Sequence, residues 1–231
     1  MFYNSFMKDI IRDKRGIFVT ATGTDIGKTY VSALLVEYFR NQGLNVGYYK
    51  PVLSGAVRQS DNFLLAGDCD YVVNFTKLNV IPSDCVTYCF EDPVSPHLAA
   101  ERVGVSIDFV KIKAHFESLL KNKFDKLVVE GAGGITCPLN LSETKLLLSD
   151  LILDLGLDVV LVADAGLGTI NSVLLTVEYA KLRGINIVGI ILNNYDARNF
   201  VHIDNKLQIQ YLTGIRVVAI VEKNGKSLTL F

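Results

Sequence analysis

The sequence has no tryptophan, only five prolines among 231 residues, and no long apolar run. A helix that crosses a bilayer needs roughly 20 consecutive apolar residues, and no stretch of the chain approaches that length. The formal net charge is −1, so bulk charge gives no indication of a nucleic-acid or membrane partner. We therefore expect a globular protein with neither nucleic acid nor membrane among its partners.

Cysteine is also scarce. The four cysteines are Cys69, Cys85, Cys89 and Cys137, and no two of them form a C-x-x-C pair. Cys85 and Cys89 with His97 lack both the fourth ligand and the spacing of a zinc site, so we do not expect zinc. Reduced cysteines that pack as small apolar groups are typical of cytoplasmic proteins, and this favours a cytoplasmic location.

Short apolar runs that alternate with helical patterns dominate the chain, which is 50% hydrophobic. The predicted strands are 17–21, 45–49, 127–129, 159–163, 187–192 and 217–221, and the predicted helices are 30–42, 106–120 and 172–182. Near-continuous apolar strands between helices indicate a mostly parallel sheet with helices on both faces. We predict an α/β fold with one domain at 16–231 and, because 1–15 lacks the apolar core of a signal peptide, an N-terminal extension there.

The strongest motif is a phosphate loop, Gly23-Thr24-Asp25-Ile26-Gly27-Lys28-Thr29, between the first strand and the first helix. A loop in that position turns backbone N–H groups toward one point at a helix N-terminus, where an anion is stabilised. Lys28 can reach the β- and γ-phosphates of ATP, and the Thr29 hydroxyl can ligate Mg²⁺. The usual pattern has glycine where this chain has Thr22, with Gly23 one place later.

Two further charged residues follow predicted strands. Lys50 is predicted to end the second strand, before a turn that contains Ser54. Glu130 is predicted to end the third strand, before a glycine-rich segment. The carboxyl ends of parallel strands meet at one edge of the sheet, where ligands bind. We expect Lys50 to face phosphate and Glu130 to hold Mg²⁺ directly or through water.

The ordered set of motifs resembles the dethiobiotin synthetases over most of the chain, from about residue 16 to 192. The motifs are the loop 20–29, Lys50-Pro51 with Ser54-Gly55, Ser95-Pro96-His97, Glu130-Gly131-Ala132-Gly133-Gly134 with Pro138-Leu139, and 189–193. The resemblance implies a homodimer with a P-loop NTPase fold that makes dethiobiotin from 7,8-diaminopelargonic acid, CO₂ or bicarbonate, and ATP. One amine forms a carbamate, the carbamate attacks the γ-phosphate, and the second amine closes the ring and expels phosphate.

The resemblance also assigns residues. Lys28 and Lys50 are the catalytic cations, and Lys50 with Ser54 faces the carbamate and the diamine. Thr29, Glu130 and one aspartate hold Mg²⁺; the family's spacing favours Asp68, with Asp61 left as the alternative. The residues expected to bind ATP are Thr24, Asp25, Ile26, Gly27, Lys28, Thr29, Tyr30, Glu130, Gly131, Ala132, Gly133, Asn193 and Asn194.

A second anion site is expected at Gly168, Thr169, Ile170 and Asn171, which open a predicted helix. Free N–H groups at a helix start suit a carboxylate, although the same residues also fit an ordinary helix start with Thr169 as the cap. In the family this helix end serves the diamine bound to the partner subunit.

Two other functions remain open from the sequence. A ligase of the cobyrinate synthase type normally carries a glutaminase domain, for which this chain has no room. A partitioning ATPase carries an extra loop lysine where this chain has Thr22, and its membrane-targeting members add a basic amphipathic tail that 227–231 is too short to form. An ATPase assay that depends on bicarbonate and diamine separates the three.

Overall fold

The protein is described by a computed structural model that covers Ile11 and residues 14–60, 63–142 and 145–231. Its centre is an eight-stranded sheet in the order β12-β11-β10-β9-β1-β6-β2-β5. These strands are β1 Gly16–Ala21, β2 Val46–Ser54, β5 Val86–Phe90, β6 Lys126–Gly134, β9 Val159–Asp164, β10 Ile187–Tyr195, β11 Val217–Glu222 and β12 Thr229–Leu230. Every neighbouring pair is parallel except β11 and β12.

Two short hairpins and seven α-helices complete the described part of the chain. The hairpins are β3 Val57–Arg58 with β4 Leu64–Leu65, and β7 Pro138–Asn140 with β8 Leu146–Leu147. The helices are α1 Lys28–Asn41, α2 Gly67–Thr76, α3 Pro96–Arg102, α4 Phe109–Asn122, α5 Leu148–Leu155, α6 Thr169–Leu182 and α7 Phe200–Thr213, and a 3₁₀ turn spans Pro82–Cys85. None of these helices combines the length and apolar character that a membrane span requires.

The burial of the central strands shows that both faces of the sheet are covered. All six residues of β1 and five of the six in β9 are buried. Since successive side chains of a strand point to opposite faces, each face must pack against other elements. The predicted α/β fold with a mostly parallel sheet and helices on both faces is confirmed.

The register of three neighbouring strands fixes where the charged side chains meet. Glu130 on β6 lies opposite Val19 of β1, two residues before the end of that strand that leads into the phosphate loop. On the other side of β6, Val129 lies opposite Tyr49 of β2, which places Lys50 beside Glu130. The order of the strands therefore places the phosphate loop, Glu130 and Lys50 close together at one edge of the sheet.

Two predicted strand ends were wrong. Lys50 lies inside β2 rather than at its end, because β2 continues to Ser54 while it pairs with β5. Pro51 is accommodated because the ladder between β2 and β6 stops at Tyr49, so the missing N–H of proline breaks no bond to β6. Likewise β6 runs past Glu130 to Gly134.

The helix predictions had the right positions but were incomplete. The predicted helix 30–42 is Lys28–Asn41, and 106–120 is Phe109–Asn122. The latter begins later because Asp108 is its N-cap, with the carboxylate accepting from the backbone N–H of Val110 at 2.8 Å. Helices α2, α3, α5 and α7 were not predicted. The expected extension 1–15 lies almost entirely outside the described residues, as does Asp61.

Candidate active site

A cavity of about 680 Å³ opens at the edge of the sheet where β1, β2 and β6 meet the start of α1. Charged, hydroxyl and backbone groups line it together with a few apolar side chains. Its lining comprises Thr24, Asp25, Gly27, Lys28, Thr29, Tyr30, Lys50, Val52, Leu53, Ser54, Asp68, Tyr71, Glu130, Ala132 and Gly133. Most of the loop and strand residues predicted for the site are therefore brought together in one place.

Gly27 is the residue that allows the loop to turn into α1. Its φ of 94° lies in the left-handed region that favours glycine. A Cβ atom at this position would lie 2.2 Å from Nδ2 of Asn193, so the Asn193 side chain would have to shift. The Asn193 amide donates to the carbonyl oxygen of Ile26 at 2.9 Å. The positive φ therefore favours glycine at position 27, and a larger residue would also disturb the contact between Asn193 and the loop.

The Lys28 side chain is folded back over the loop. It is buried, and its Nζ donates to the carbonyl oxygen of Gly23 at 2.9 Å. Burial lowers the pKa of this ammonium from its ordinary value, and the nearby charge of Lys50 lowers it further, against the opposing pull of Glu130 and Asp68. An anion in the cavity would offset both effects, so the loop is built to receive negative charge.

Glu130 is the fully buried centre of the site and accepts three hydrogen bonds from side chains. Its Oε1 accepts from the Thr29 hydroxyl at 2.8 Å and from Lys50 Nζ at 2.6 Å. Its Oε2 accepts from the Tyr48 hydroxyl at 2.7 Å. A buried carboxylate is stable only when it is bonded and paired in this way, so these contacts fix the direction in which the carboxylate points.

Lys50 bridges two of the three carboxylates that line the cavity. Its Nζ lies 2.7 Å from Oδ2 of Asp68 and 2.6 Å from Oε1 of Glu130. Burial opposes the charge on Lys50, but Glu130 and Asp68 outweigh it and hold the pKa of the ammonium above its ordinary value. Lys50 therefore stays a cation in this site, and Asp68 is the aspartate that the fold brings to it.

Several predicted residues do not line the cavity, namely Ile26, Gly131, Asn193, Asn194 and the four residues Gly168–Asn171. Gly168–Asn171 do form the start of α6, where Gly168 has a φ of 89°, but they do not line the cavity of the same chain. The Oγ1 of Thr169 is buried and has no hydrogen-bond partner among the described residues. Asn194 is exposed and donates to Asp164 at 2.8 Å, and it does not line the cavity either.

Several residues around the site were not predicted from the sequence. Tyr71 lines the cavity from α2, a helix that was not predicted. Gly225, in the segment after β11, accepts a hydrogen bond from the hydroxyl of Tyr30, a residue that was predicted, and so ties this segment to the start of α1. Asn205 of α7 donates to the carbonyls of Ala165 and Gly166, just before α6. No local motif marks these residues, because each acts across a long sequence separation.

The described residues hold no cluster of three or more His, Cys, Asp or Glu side chains suited to a metal ion. A site for a hard cation here has to combine Asp68 and Glu130 with the Thr29 hydroxyl. Mg²⁺ is commonly held in this way, through one or two carboxylates while substrate phosphates and water complete its six oxygen ligands. The oxygen donors that meet at Glu130 fit that requirement.

Comparison with known proteins identifies close relatives over most of the chain. A family model described as an AAA domain matches residues 15–228. The ATP-dependent dethiobiotin synthetase of Clostridium botulinum (strain Loch Maree / Type A3) is 50% identical over 192 residues, which are 83% of this chain and 84% of the relative. The enzyme of the same name from Clostridium perfringens is 43% identical over 210 residues, which are 91% of each chain.

Solved structures share the fold at much lower identity. A ParA family ATPase from Chlorobium tepidum matches 91% of this chain and 84% of its own, with a TM-score of 0.53 and 14% identity. Chloroplast FtsY from Physcomitrella patens matches 99% of this chain and 70% of its own, with a TM-score of 0.54 and 15% identity. These likenesses show the P-loop NTPase fold and nothing about the reaction.

Proposed function

The chain belongs to the ATP-dependent dethiobiotin synthetase family, and from that membership we propose how its residues carry out the reaction. The reaction joins 7,8-diaminopelargonic acid and CO₂, with cleavage of ATP to ADP and phosphate, to give dethiobiotin. The observation that carries the proposal is the convergence of Lys28, Lys50, Thr29, Asp68 and Glu130 in one cavity beside a phosphate loop. The other P-loop ligase and the partitioning ATPase considered from the sequence are not favoured.

The first requirement of the reaction is charge neutralisation. A carbamate oxygen has to attack the γ-phosphate, and both reactants are anions, so most of the catalysis is positioning and electrostatic stabilisation. Lys28 follows the loop and reaches the β- and γ-phosphates of ATP. Lys50 faces the carbamate, with Ser54 nearby on the same wall of the cavity. The adenine lies toward Asn193, which already contacts the loop.

The covalent steps are balanced by the substrates alone. One amine loses a proton and bonds to the carbon of CO₂, giving the carbamate. A carbamate oxygen then bonds to the γ-phosphorus as the bond from that phosphorus to ADP breaks. The second amine attacks the carbonyl carbon and loses a proton to solvent as the ureido ring closes, and the bond from that carbon to the phosphate oxygen breaks to release phosphate. Free alkylamines have a pKa of about 10 and are mostly protonated at neutral pH. The nearby cations of the site favour the neutral amine and then its anionic carbamate.

Thr29, Asp68 and Glu130 are the residues that would hold Mg²⁺. Two ammonium ions and three carboxylates line this cavity, so a triphosphate adds negative charge that the protein does not balance. When bound, Mg²⁺ supplies that missing charge at the phosphate oxygens. The oxygen donors described above support this ion over a softer transition metal.

The remote carboxylate of the diamine is bound at Gly168–Asn171 of a partner subunit in a homodimer. The unpaired, buried Thr169 hydroxyl and the free N–H groups at the start of α6 suit a carboxylate. Beside them Leu167 is 96% exposed, and Leu175 and Leu182 on α6 are 65% and 85% exposed. A second copy would cover these side chains, and a two-fold dimer is the commonest way to build a shared site.

The enzyme acts in the cytoplasm.

The decisive test measures both the incorporation of labelled carbon into the product and the release of ADP. The purified protein is given ATP, Mg²⁺ and ¹⁴C-bicarbonate with or without 7,8-diaminopelargonic acid. We expect ADP release to depend on both the diamine and bicarbonate, and the label to be retained in an acid-stable cyclic urea. A monoamine of the same chain length serves as the matched control, because its carbamate cannot close a ring and loses its label in acid. Equal ADP release without the diamine, or an unlabelled product, would show that the protein is a different P-loop ATPase.

A further inference from the structure

Two adjacent tyrosines on β2 are fully buried, and their hydroxyls serve different parts of the molecule. Tyr48 and Tyr49 both have 0% of their surface exposed. The Tyr48 hydroxyl donates to Oε2 of Glu130 at 2.7 Å. The Tyr49 hydroxyl points to the other face of the sheet, where it contacts Thr87 and donates to the carbonyl oxygen of Ile112 at 3.1 Å.

The Tyr48 hydroxyl is a dependable proton donor in this position. Phenols have a pKa of about 10 and carry their proton at neutral pH. A hydrogen bond to a carboxylate is roughly twice as strong as a bond between neutral groups, and in a buried site neither partner can exchange it for water.

The two oxygens of Glu130 are consequently used differently. Oε1 meets Thr29 and Lys50, which line the cavity, whereas Oε2 is bonded to Tyr48, which does not line it. The carboxylate thus directs Oε1 toward the cavity, where Thr29 and Lys50 bond to it, and has Oε2 bonded to Tyr48, which does not line the cavity.

We propose that Tyr48 is a positioning residue that keeps Glu130 a one-oxygen ligand and so tunes the nucleotide site toward Mg²⁺ and against larger divalent cations. The proposal rests on the function proposed above, in which Glu130 holds the metal. Mg²⁺ demands octahedral geometry with short bonds, whereas Ca²⁺ accepts six to eight oxygens and often takes both oxygens of one carboxylate. A carboxylate whose Oε2 is bonded to Tyr48 can give Mg²⁺ the single oxygen that it needs. The same carboxylate is hindered from giving both oxygens to Ca²⁺.

The test is a comparison of two metals with the variant Tyr48→Phe, which removes only the hydroxyl. Calorimetry gives the dissociation constant of ADP in saturating Mg²⁺ and in saturating Ca²⁺, and the ratio of the Ca²⁺ value to the Mg²⁺ value measures the preference. We expect Tyr48→Phe to lower this ratio about tenfold, the scale of one charge-assisted hydrogen bond. The readout is binding, so it does not depend on turnover.

Tyr49→Phe is the matched control, because it removes a buried tyrosine hydroxyl from the next position of the same strand without touching Glu130. A merely structural role for Tyr48 would lower stability in both variants and leave both ratios at the wild-type value, which would overturn the proposal. Should Tyr48→Phe fail to fold, 3-fluorotyrosine inserted at position 48 keeps the ring and strengthens the donor. It is expected to raise the ratio above that of the wild type, and an unchanged or lower ratio would again overturn the proposal.

The same measurements separate this inference from the proposed function. If ADP binding to the wild-type protein does not respond to either metal, the proposed metal site is overturned, and the proposed role of Tyr48 is overturned with it. If the wild type prefers Mg²⁺ and Tyr48→Phe keeps that preference, only the role of Tyr48 is overturned.

Discussion

At the scale of single residues, the site depends on ammonium groups held where phosphate charge develops. Lys28 is buried and its pKa is lowered chiefly by that burial, so its charge is poorly solvated until an anion enters. We predict that Lys28→Ala lowers kcat by at least ~100-fold, or ~2.7 kcal/mol in activation free energy, as measured by steady-state ADP release. Lys113→Ala, which removes an exposed lysine paired with Asp154, is the control and should turn over normally. Near-normal turnover of Lys28→Ala would contradict the assignment.

The choice between Asp68 and Asp61 as the metal ligand can be tested at single residues. Asp68 lines the cavity 2.7 Å from Lys50, and Asp61 lies outside the described residues. We predict that Asp68→Ala raises the Mg²⁺ concentration needed for half-maximal ADP release, because a carboxylate ligand is lost, whereas Asp61→Ala has little effect. Titrations of both variants with Mg²⁺ check this, and the reverse pattern would make Asp61 the ligand.

At the scale of elements, α4 and β5 are joined through a half-buried histidine. His115 Nδ1 lies 2.9 Å from the Thr87 hydroxyl, and its Nε2 lies 3.0 Å from the carbonyl oxygen of Asp84. Burial lowers the pKa of His115 below its ordinary 6.5, while Asp84 raises it and Lys123 and Lys111 lower it. The fold therefore favours the neutral ring.

This shift predicts a pH dependence of stability. A histidine whose pKa is lower in the folded state stabilises the fold above its unfolded pKa, and that contribution is lost as the pH falls through 6.5 toward the folded value. We expect the free energy of unfolding of the wild type to fall more steeply between about pH 7 and about pH 5 than that of His115→Gln. Urea unfolding at several pH values measures both slopes, and parallel slopes would rule the effect out.

The failure to predict α7 also belongs at this scale. A helix is recognised in a sequence by apolar residues confined to one face. In α7 the exposed side chains Phe200, Ile203, Leu207 and Tyr211 follow the three- and four-residue spacing of one helix face, whereas Ile209 is buried on the opposite face. Because both faces carry apolar residues, the contrast between an apolar and a polar face is weak, and the exposed apolar face is a surface suited to association.

At the scale of the whole molecule, the proposed site is complete only in a dimer. The carboxylate site at the start of α6 does not line the cavity of its own chain, so we predict that the wild type sediments as a dimer at assay concentration. Leu175→Glu would place a charge in the proposed interface and should give a folded monomer that has lost diamine-dependent ADP release. Val110→Glu, which changes a residue of α4 that is equally exposed to solvent, should stay dimeric. A fully active wild-type monomer would exclude the shared site.

The sequence by itself determined what is local. The loop from Gly23 to Thr29 follows a run of apolar residues and precedes a helical pattern, and its backbone geometry depends on neighbours a few residues away. Seven consecutive residues are therefore enough to predict that glycine is favoured at position 27 and that N–H groups are exposed at a helix start. The alternation of apolar runs with helices likewise determined the parallel α/β architecture, because a strand that is apolar at every position has to be buried on both faces.

Only the tertiary structure decided how the distant parts of the site meet. Glu130 is 101 residues from Thr29, 82 from Tyr48 and 80 from Lys50, and no periodicity encodes those separations. These residues meet because the sheet places β6 between β1 and β2 in one fixed register. The order of strands results from the burial of many apolar side chains at once, a property of the whole fold, so the partner of each charge becomes visible only when the strands lie side by side.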